Sequence, residues 1–83
     1  MPKRIVWSAR ARTELRAIEQ STALRILHSL ARAVFAGEGD IKRLKGIDPP
    51  EFRLRVGDYR LRFRESSGSI EIISVRHRRD AYR

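Results

Sequence analysis

Arginines at alternate positions on both sides of a two-residue turn are the residues of this chain best suited to chemistry. The segment runs Glu51-Phe52-Arg53-Leu54-Arg55-Val56, then Gly57-Asp58, then Tyr59-Arg60-Leu61-Arg62-Phe63-Arg64. A guanidinium is always charged, offers a planar fork of donors matched to phosphate, and stacks on bases. The end of the chain, Arg76-His77-Arg78-Arg79-Asp80-Ala81-Tyr82-Arg83, adds further guanidiniums, an imidazole and a phenol. Histidine moves protons near neutral pH, and tyrosine stacks on an unpaired base. Brought together, Arg53, Arg55 and Arg60 with Arg76, His77, Arg78, Arg79 and Tyr82 would make one concave site for a phosphodiester. The plainer alternative is a solvated basic face followed by a mobile basic tail.

The elements that must position these groups follow from periodicity. Side chains on a strand alternate between faces, so each arm of the hairpin has one apolar and one arginine face. Gly-Asp between alternating runs predicts a two-residue hairpin, with Gly57 supplying the positive φ of a type II′ turn. The turn sets the register: Val56 opposite Tyr59, Leu54 opposite Leu61 and Phe52 opposite Phe63 toward a core. Arg55 then faces Arg60, and Arg53 faces Arg62. Like charges directly across a ladder destabilise a sheet, so two such pairs side by side imply an anionic ligand.

Upstream, Lys3 to Trp7 reads as a short strand and Ser8 as an N-cap. Ala9 to Glu19 is helical in composition, with Ala11, Leu15 and Ile18 on one stripe. Ser21 or Thr22 can cap a second helix whose stripe is Leu24, Leu27, Leu30, Ala31, Val34 and Phe35, ending at Gly37. Residues 38–50 read as a loop by Gly and Pro content, although 41–45 can hold a turn or a bridge. Ser66-Ser67-Gly68-Ser69 is another turn, and Ile70 to Val75 a buried, central strand. The expected fold is α+β in the order β-α-α-β-β-β: one domain, residues 1–83, with an antiparallel sheet, a two-helix hairpin on one face and arginines on the other.

The composition narrows the chemistry. With 83 residues, 19 Lys plus Arg against 10 Asp plus Glu, and a net charge of +9, the chain points to a polyanionic partner. Beyond Glu51 every basic residue except His77 is arginine. Cysteine is absent, which excludes disulfides and thiolate metal sites and suits a reducing cytoplasm. His28 and His77 are far apart and lack carboxylates at ligand spacing, so neither a metal nor another cofactor is expected. There is no phosphate-loop glycine motif, no run of apolar residues long enough for a membrane span, and no signal-peptide pattern at Met1-Pro2-Lys3-Arg4-Ile5-Val6-Trp7.

Three segments carry a family resemblance: Leu44-Lys45-Gly46, Phe52-Arg53-Leu54-Arg55-Val56-Gly57-Asp58-Tyr59-Arg60, and Val75-Arg76-His77-Arg78-Arg79-Asp80-Ala81-Tyr82-Arg83. Together they resemble the RelE branch of the RelE/ParE toxin superfamily over nearly the whole chain. The resemblance implies a bacterial type II toxin that enters the ribosomal A site and cuts mRNA without a metal. In that reaction the RNA's own 2′-hydroxyl attacks the adjacent phosphate. It further implies a cognate antitoxin in a hetero-oligomeric complex and a cytoplasmic setting. The family's catalytic and RNA-binding positions fall on Arg53, Arg55, Arg60, Arg78 and Tyr82, with His77 beside the tail arginine. Arg60, Arg78, His77 and Tyr82 are therefore the expected catalytic set, and Arg53, Arg55, Arg62, Arg76, Arg79 and Lys45 the expected RNA-binding set. One departure is chemical. Well-known members carry lysines where this chain has Arg53 and Arg55, and arginine, with a pKa above about 12, is a poor general base. His77, then Glu51, are the alternatives, or catalysis by alignment and charge alone. Two rival functions share these residues: a ParE-like inhibitor of DNA gyrase, and a catalytically inactive nucleic-acid-binding module.

Overall fold

In a computed structural model, residues 4–47, 50–66 and 68–81 are described. Five strands form one sheet: β1 (Arg4–Trp7), β2 (Asp40–Leu44), β3 (Glu51–Val56), β4 (Tyr59–Ser66) and β5 (Ser69–His77). Three helices accompany them: α1 (Ala9–Arg16), α2 (Gln20–Ala36) and the short α3 (Arg78–Ala81). The spatial order is β1-β5-β4-β3-β2.

The hairpin has the expected register at every pair, from Val56 with Tyr59 to Phe52 with Phe63. Gly57 has φ +57°, whereas Asp58 is not in the left-handed region, which excludes a type I′ turn and leaves type II′. Phe52 and Phe63 stack with ring centroids 5.4 Å apart. Leu54, Val56, Leu61 and Phe63 join Ile70, Ile72 and Val75 in the core, covered by Ala11 of α1 and by Ile26, Leu30 and Ala33 of α2.

The observed order is β-α-α-β-β-β-β-α, and the sheet is mixed. Strand β1 pairs parallel to β5, while the other pairings are antiparallel. A pairing between the two ends of the chain leaves no local sequence signal. The expected loop holds an edge strand, β2, in which Ile41 lies opposite Leu54. Its basic residues, Lys42 and Arg43, suit an edge with one free side and mask the alternation. Strand β5, flanked by β1 and β4, is interior as expected.

Ser8 caps α1 by accepting from the Ala11 N–H, and its own hydroxyl donates to the Ile73 carbonyl, both at 3.0 Å. This docks the start of α1 on β5. The first helix ends earlier than composition implies because Glu19, rather than Ser21 or Thr22, caps α2. The α2 stripe is also rotated. Ile26, Leu30 and Ala33 are buried, while Leu24 and Phe35 are 51% and 59% exposed. At about 100° per residue, those two lie more than a quarter turn from Leu30.

The cap gives a pH prediction. The Ser21 hydroxyl, then the Ser21 and Thr22 backbone N–H groups, hold the Glu19 carboxyl at about 2, below its ordinary 4.5. A depressed carboxylate contributes stability that is complete above its unfolded pKa and lost as pH falls through the folded one. A Glu19→Ala variant should melt below the parent at pH 7, and thermal melts should show that gap closing between pH 4.5 and about 2.

Candidate nucleic-acid interface

On the face away from α2, the registers place side chains in rows across the sheet. Asp40, Arg55, Arg60 and Arg76 make one row on β2, β3, β4 and β5; Lys42, Arg53, Arg62 and Ser74 make the next. A third row, Leu44, Glu51, Arg64 and Glu71, sets two carboxylates against one guanidinium, and Glu51 also pairs with Arg62 of the second row. Adjacent strands stand about 4.8 Å apart, so Arg53 with Arg62, Arg55 with Arg60, and Arg60 with Arg76 are directly opposed like charges.

A β-bulge makes the last of these pairings possible. Arg62 pairs with Ser74 and Phe63 with Ile72, leaving Ile73 as the extra residue. Ile70 and Ile72 point into the core before the bulge and Val75 does so after it. Unbroken alternation would have sent Arg76 inward; the bulge resets the phase and places Arg76 beside Arg60.

Arg60 is 8% exposed. Its Nη1 donates to the carbonyls of Gly57 and Tyr59 at 3.3 and 3.2 Å, while its Nε is buried with no partner. The Nε atoms of Arg53 and of Arg64, in the carboxylate-bearing third row, are likewise buried and unpartnered. Arg60, Arg62 and Arg76, with Arg10, Ile73 and Ser74, line a cleft of about 130 Å³. A buried donor without an acceptor is costly, and an anion supplies one.

Glu51, 7% exposed, accepts from Arg62 Nη2 at 2.5 Å and from Arg64 Nη2 at 3.1 Å, and Arg64 Nη1 reaches Glu71 at 3.5 Å. Both Glu51 oxygens thus hold arginines. Both arginine side chains are more than a third exposed, which weakens the pairs. Glu51→Gln should therefore cost about 1–2 kcal/mol in urea unfolding, less than a wholly buried pair would. Added inorganic phosphate should recover part of the loss.

The chain end divides. The Arg78 N–H donates to the Asp58 carbonyl at 2.7 Å, and its Nη1 lies 3.8 Å from Asp58 Oδ1. Arg60 and Arg78 therefore both lean on the Gly57-Asp58 turn. His77 does not enter the Arg60 cleft. It pairs with Tyr59, and its ring meets that tyrosine edge-on at 5.3 Å. It lines a neighbouring cleft with Glu14, Ala17, Ile18, Asp80 and Arg76, the last of which lines both clefts. Strand alternation puts it on the helix side, one residue past Arg76. Arg79 is exposed, its N–H donating to His77 Nδ1. Arg55, although in the first row, also lines a cleft with Ser29, Arg32 and Glu38 near the end of α2. Lys45 is exposed in the turn beyond the Leu44–Glu51 pair, two rows away from Arg60. Tyr82 lies outside the described residues. Sequence reasoning passed over Arg10 and Glu14; their i, i+4 spacing was the available signal.

The sequence matches the family model of the ParE toxin of type II toxin–antitoxin systems over residues 5–82. The chain belongs to the ParE toxin family. It is a type II toxin of the RelE/ParE superfamily with the RelE-like fold. The archaeal RelE of the Pyrococcus horikoshii RelE–RelB complex superposes with TM-score 0.78 at 20% identity, covering 94% of this chain and 97% of that one. The toxin is also similar in fold to a chain of the Methanococcus jannaschii RelB–RelE complex, with TM-score 0.76, 22% identity and coverage of 93% and 94%. Staphylococcus aureus YoeB gives TM-score 0.75, 18% identity and coverage of 93% and 98%. No curated protein matches the chain. Among the described residues, no helix is long and apolar enough to cross a membrane.

Proposed function

We propose that this toxin is a ribosome-dependent endoribonuclease that cuts mRNA in the A site. The observation carrying the reading is the buried Arg60 guanidinium, with its unpartnered Nε, in a row with Arg55 and Arg76. Cleavage by the RNA itself forms a bond between the 2′-oxygen and the adjacent phosphorus and breaks the bond to the 5′-oxygen. The 2′-hydroxyl proton leaves, the 5′-oxygen gains one, and the products are a cyclic phosphate and a 5′-hydroxyl. The requirements are in-line alignment and neutralisation of charge on the pentacoordinate phosphate. Arg60 and Arg78 on the turn serve the second, and Arg53, Arg62 and Arg76 hold the strand. With His77 absent from the lining of the Arg60 cleft and both Glu51 oxygens engaged, catalysis on this reading rests on alignment and charge, and solvent or the ribosome-bound RNA takes the proton. Tyr82 is assigned stacking on the target base, and Arg79 and Lys45 outer contacts with the RNA.

The RelE chains of similar fold come from complexes with RelB. By analogy, the toxin's partner is a cognate antitoxin in a cytoplasmic hetero-oligomer. In a translating extract, stoichiometric toxin should cut mRNA within codons and leave cyclic phosphate ends. A 2′-deoxy substitution at the cut position should block that cut. Intact mRNA would overturn the proposal. The ParE description of the matched family favours a second reading, gyrase inhibition. Blocked supercoiling with mRNA untouched would establish it, and salt-dependent RNA binding without either activity would mark an inactive binding module.

A further inference from the structure

Beside Arg60, the cleft has a feature that charge stabilisation at the scissile phosphate does not require. Glu14 of α1 acts as a brace. Its Oε1 accepts from the Val75 N–H at 2.9 Å, while its Oε2 lies 3.5 Å from Arg10 Nε and 4.0 Å from Arg76 Nε. Arg10 Nε is at the outer limit of a hydrogen bond to this carboxylate and Arg76 Nε within ion-pair range of it, and among the described residues no hydrogen bond or ion pair engages their terminal Nη groups. Ser74, which the Ile73 bulge turns toward the same cleft, and Arg62 complete the lining.

We infer that Arg10, Arg62, Ser74 and Arg76 form a second phosphate subsite, which grips the backbone of single-stranded RNA one step from the phosphate held at Arg60. The inference rests on the reading that this face holds RNA. Arg60 and Arg62 stand about 6.5 Å apart along β4, a distance suited to successive phosphates of an extended strand. Forked donors around a small cleft continuous with Arg60 favour a phosphodiester chain over the carboxylates of an acidic protein.

The test is fluorescence anisotropy with 2′-O-methyl oligoribonucleotides, which cannot be cut, over a range of salt concentrations. For a hexamer, Arg10→Ala and Arg76→Ala should each weaken binding about tenfold, and each should flatten the log–log salt slope by about 0.7. Glu14→Gln should weaken it less. Arg43→Ala, on the other face of edge strand β2, should leave it unchanged. A dinucleotide with a single phosphate should not distinguish Arg10→Ala from the parent. Hexamer affinity unchanged in both arginine variants would overturn the subsite, as would equal sensitivity of the dinucleotide. Displacement of the hexamer by an acidic peptide of matched charge, with the same dependence on Arg10, would reassign the cleft to a protein partner. If binding depends on Arg10 while mRNA in the extract stays whole, the subsite stands and the nuclease reading falls. Cleavage without such dependence gives the reverse.

Discussion

Arg60→Lys should slow cleavage of ribosome-bound mRNA by about 100- to 1,000-fold, the usual loss when one preorganised donor to a developing anion is removed. The substitution retains the charge, so the loss isolates geometry. Arg60 anchors one terminal nitrogen on the Gly57 and Tyr59 carbonyls and keeps its Nε free. A lysine ammonium has one nitrogen and cannot be anchored at the turn and fork a phosphate at once. Primer extension on mRNA from translating extract measures the rate, and a thermal melt close to the parent's shows that the hairpin survives. Arg62→Lys is the comparison. Its Nη2 is already engaged by Glu51, so its effect should be several-fold smaller. Equal rates for Arg60→Lys and the parent would remove Arg60 from the chemistry.

Leu61→Ala should be the most damaging single change to the fold. Leu61 is fully buried on the middle strand, opposite Leu54 on one side and Val75 on the other. Truncating such a leucine costs about 2–5 kcal/mol through lost transfer energy and the cavity left behind. A small domain has only about 5–15 kcal/mol in total, so the melting temperature should drop by about 10 °C or more. Urea unfolding gives the free energy directly. Since Leu61 lies between Arg60 and Arg62, the variant should also loosen the basic rows. Phosphate should then raise its melting temperature less than the parent's. A loss below about 1 kcal/mol would show that this layer does not hold the sheet together.

How far the molecule was legible in its sequence follows from the range of the forces involved. The β3–β4 hairpin was readable to the residue, because a two-residue turn sets the register and alternation sets the faces. Ser8 and Gly37 were readable because capping is local. The parallel pairing of β1 with β5 joins residues from the two ends of the chain. Strand β2 was obscured by Lys42 and Arg43. The bulge was hidden inside an apolar run, Ile72-Ile73, where both faces look alike. That concealment matters for the site. Without the reset at Ile73, alternation would have turned His77 toward the arginine face and Arg76 into the core, the reverse of what is found. Arg10 and Glu14 reach the basic face only because Ser8 docks α1 on β5.

Three directly opposed guanidinium pairs on neighbouring strands set like charges against one another across the sheet of this protein. Whatever polyanion it first meets will relieve that repulsion, whether or not it is the physiological one. Released from host cells at low ionic strength, the toxin should therefore copurify with cellular nucleic acid and show excess absorbance at 260 nm until a high-salt wash removes it. Preparations that have not been washed in this way should look deceptively heat-resistant.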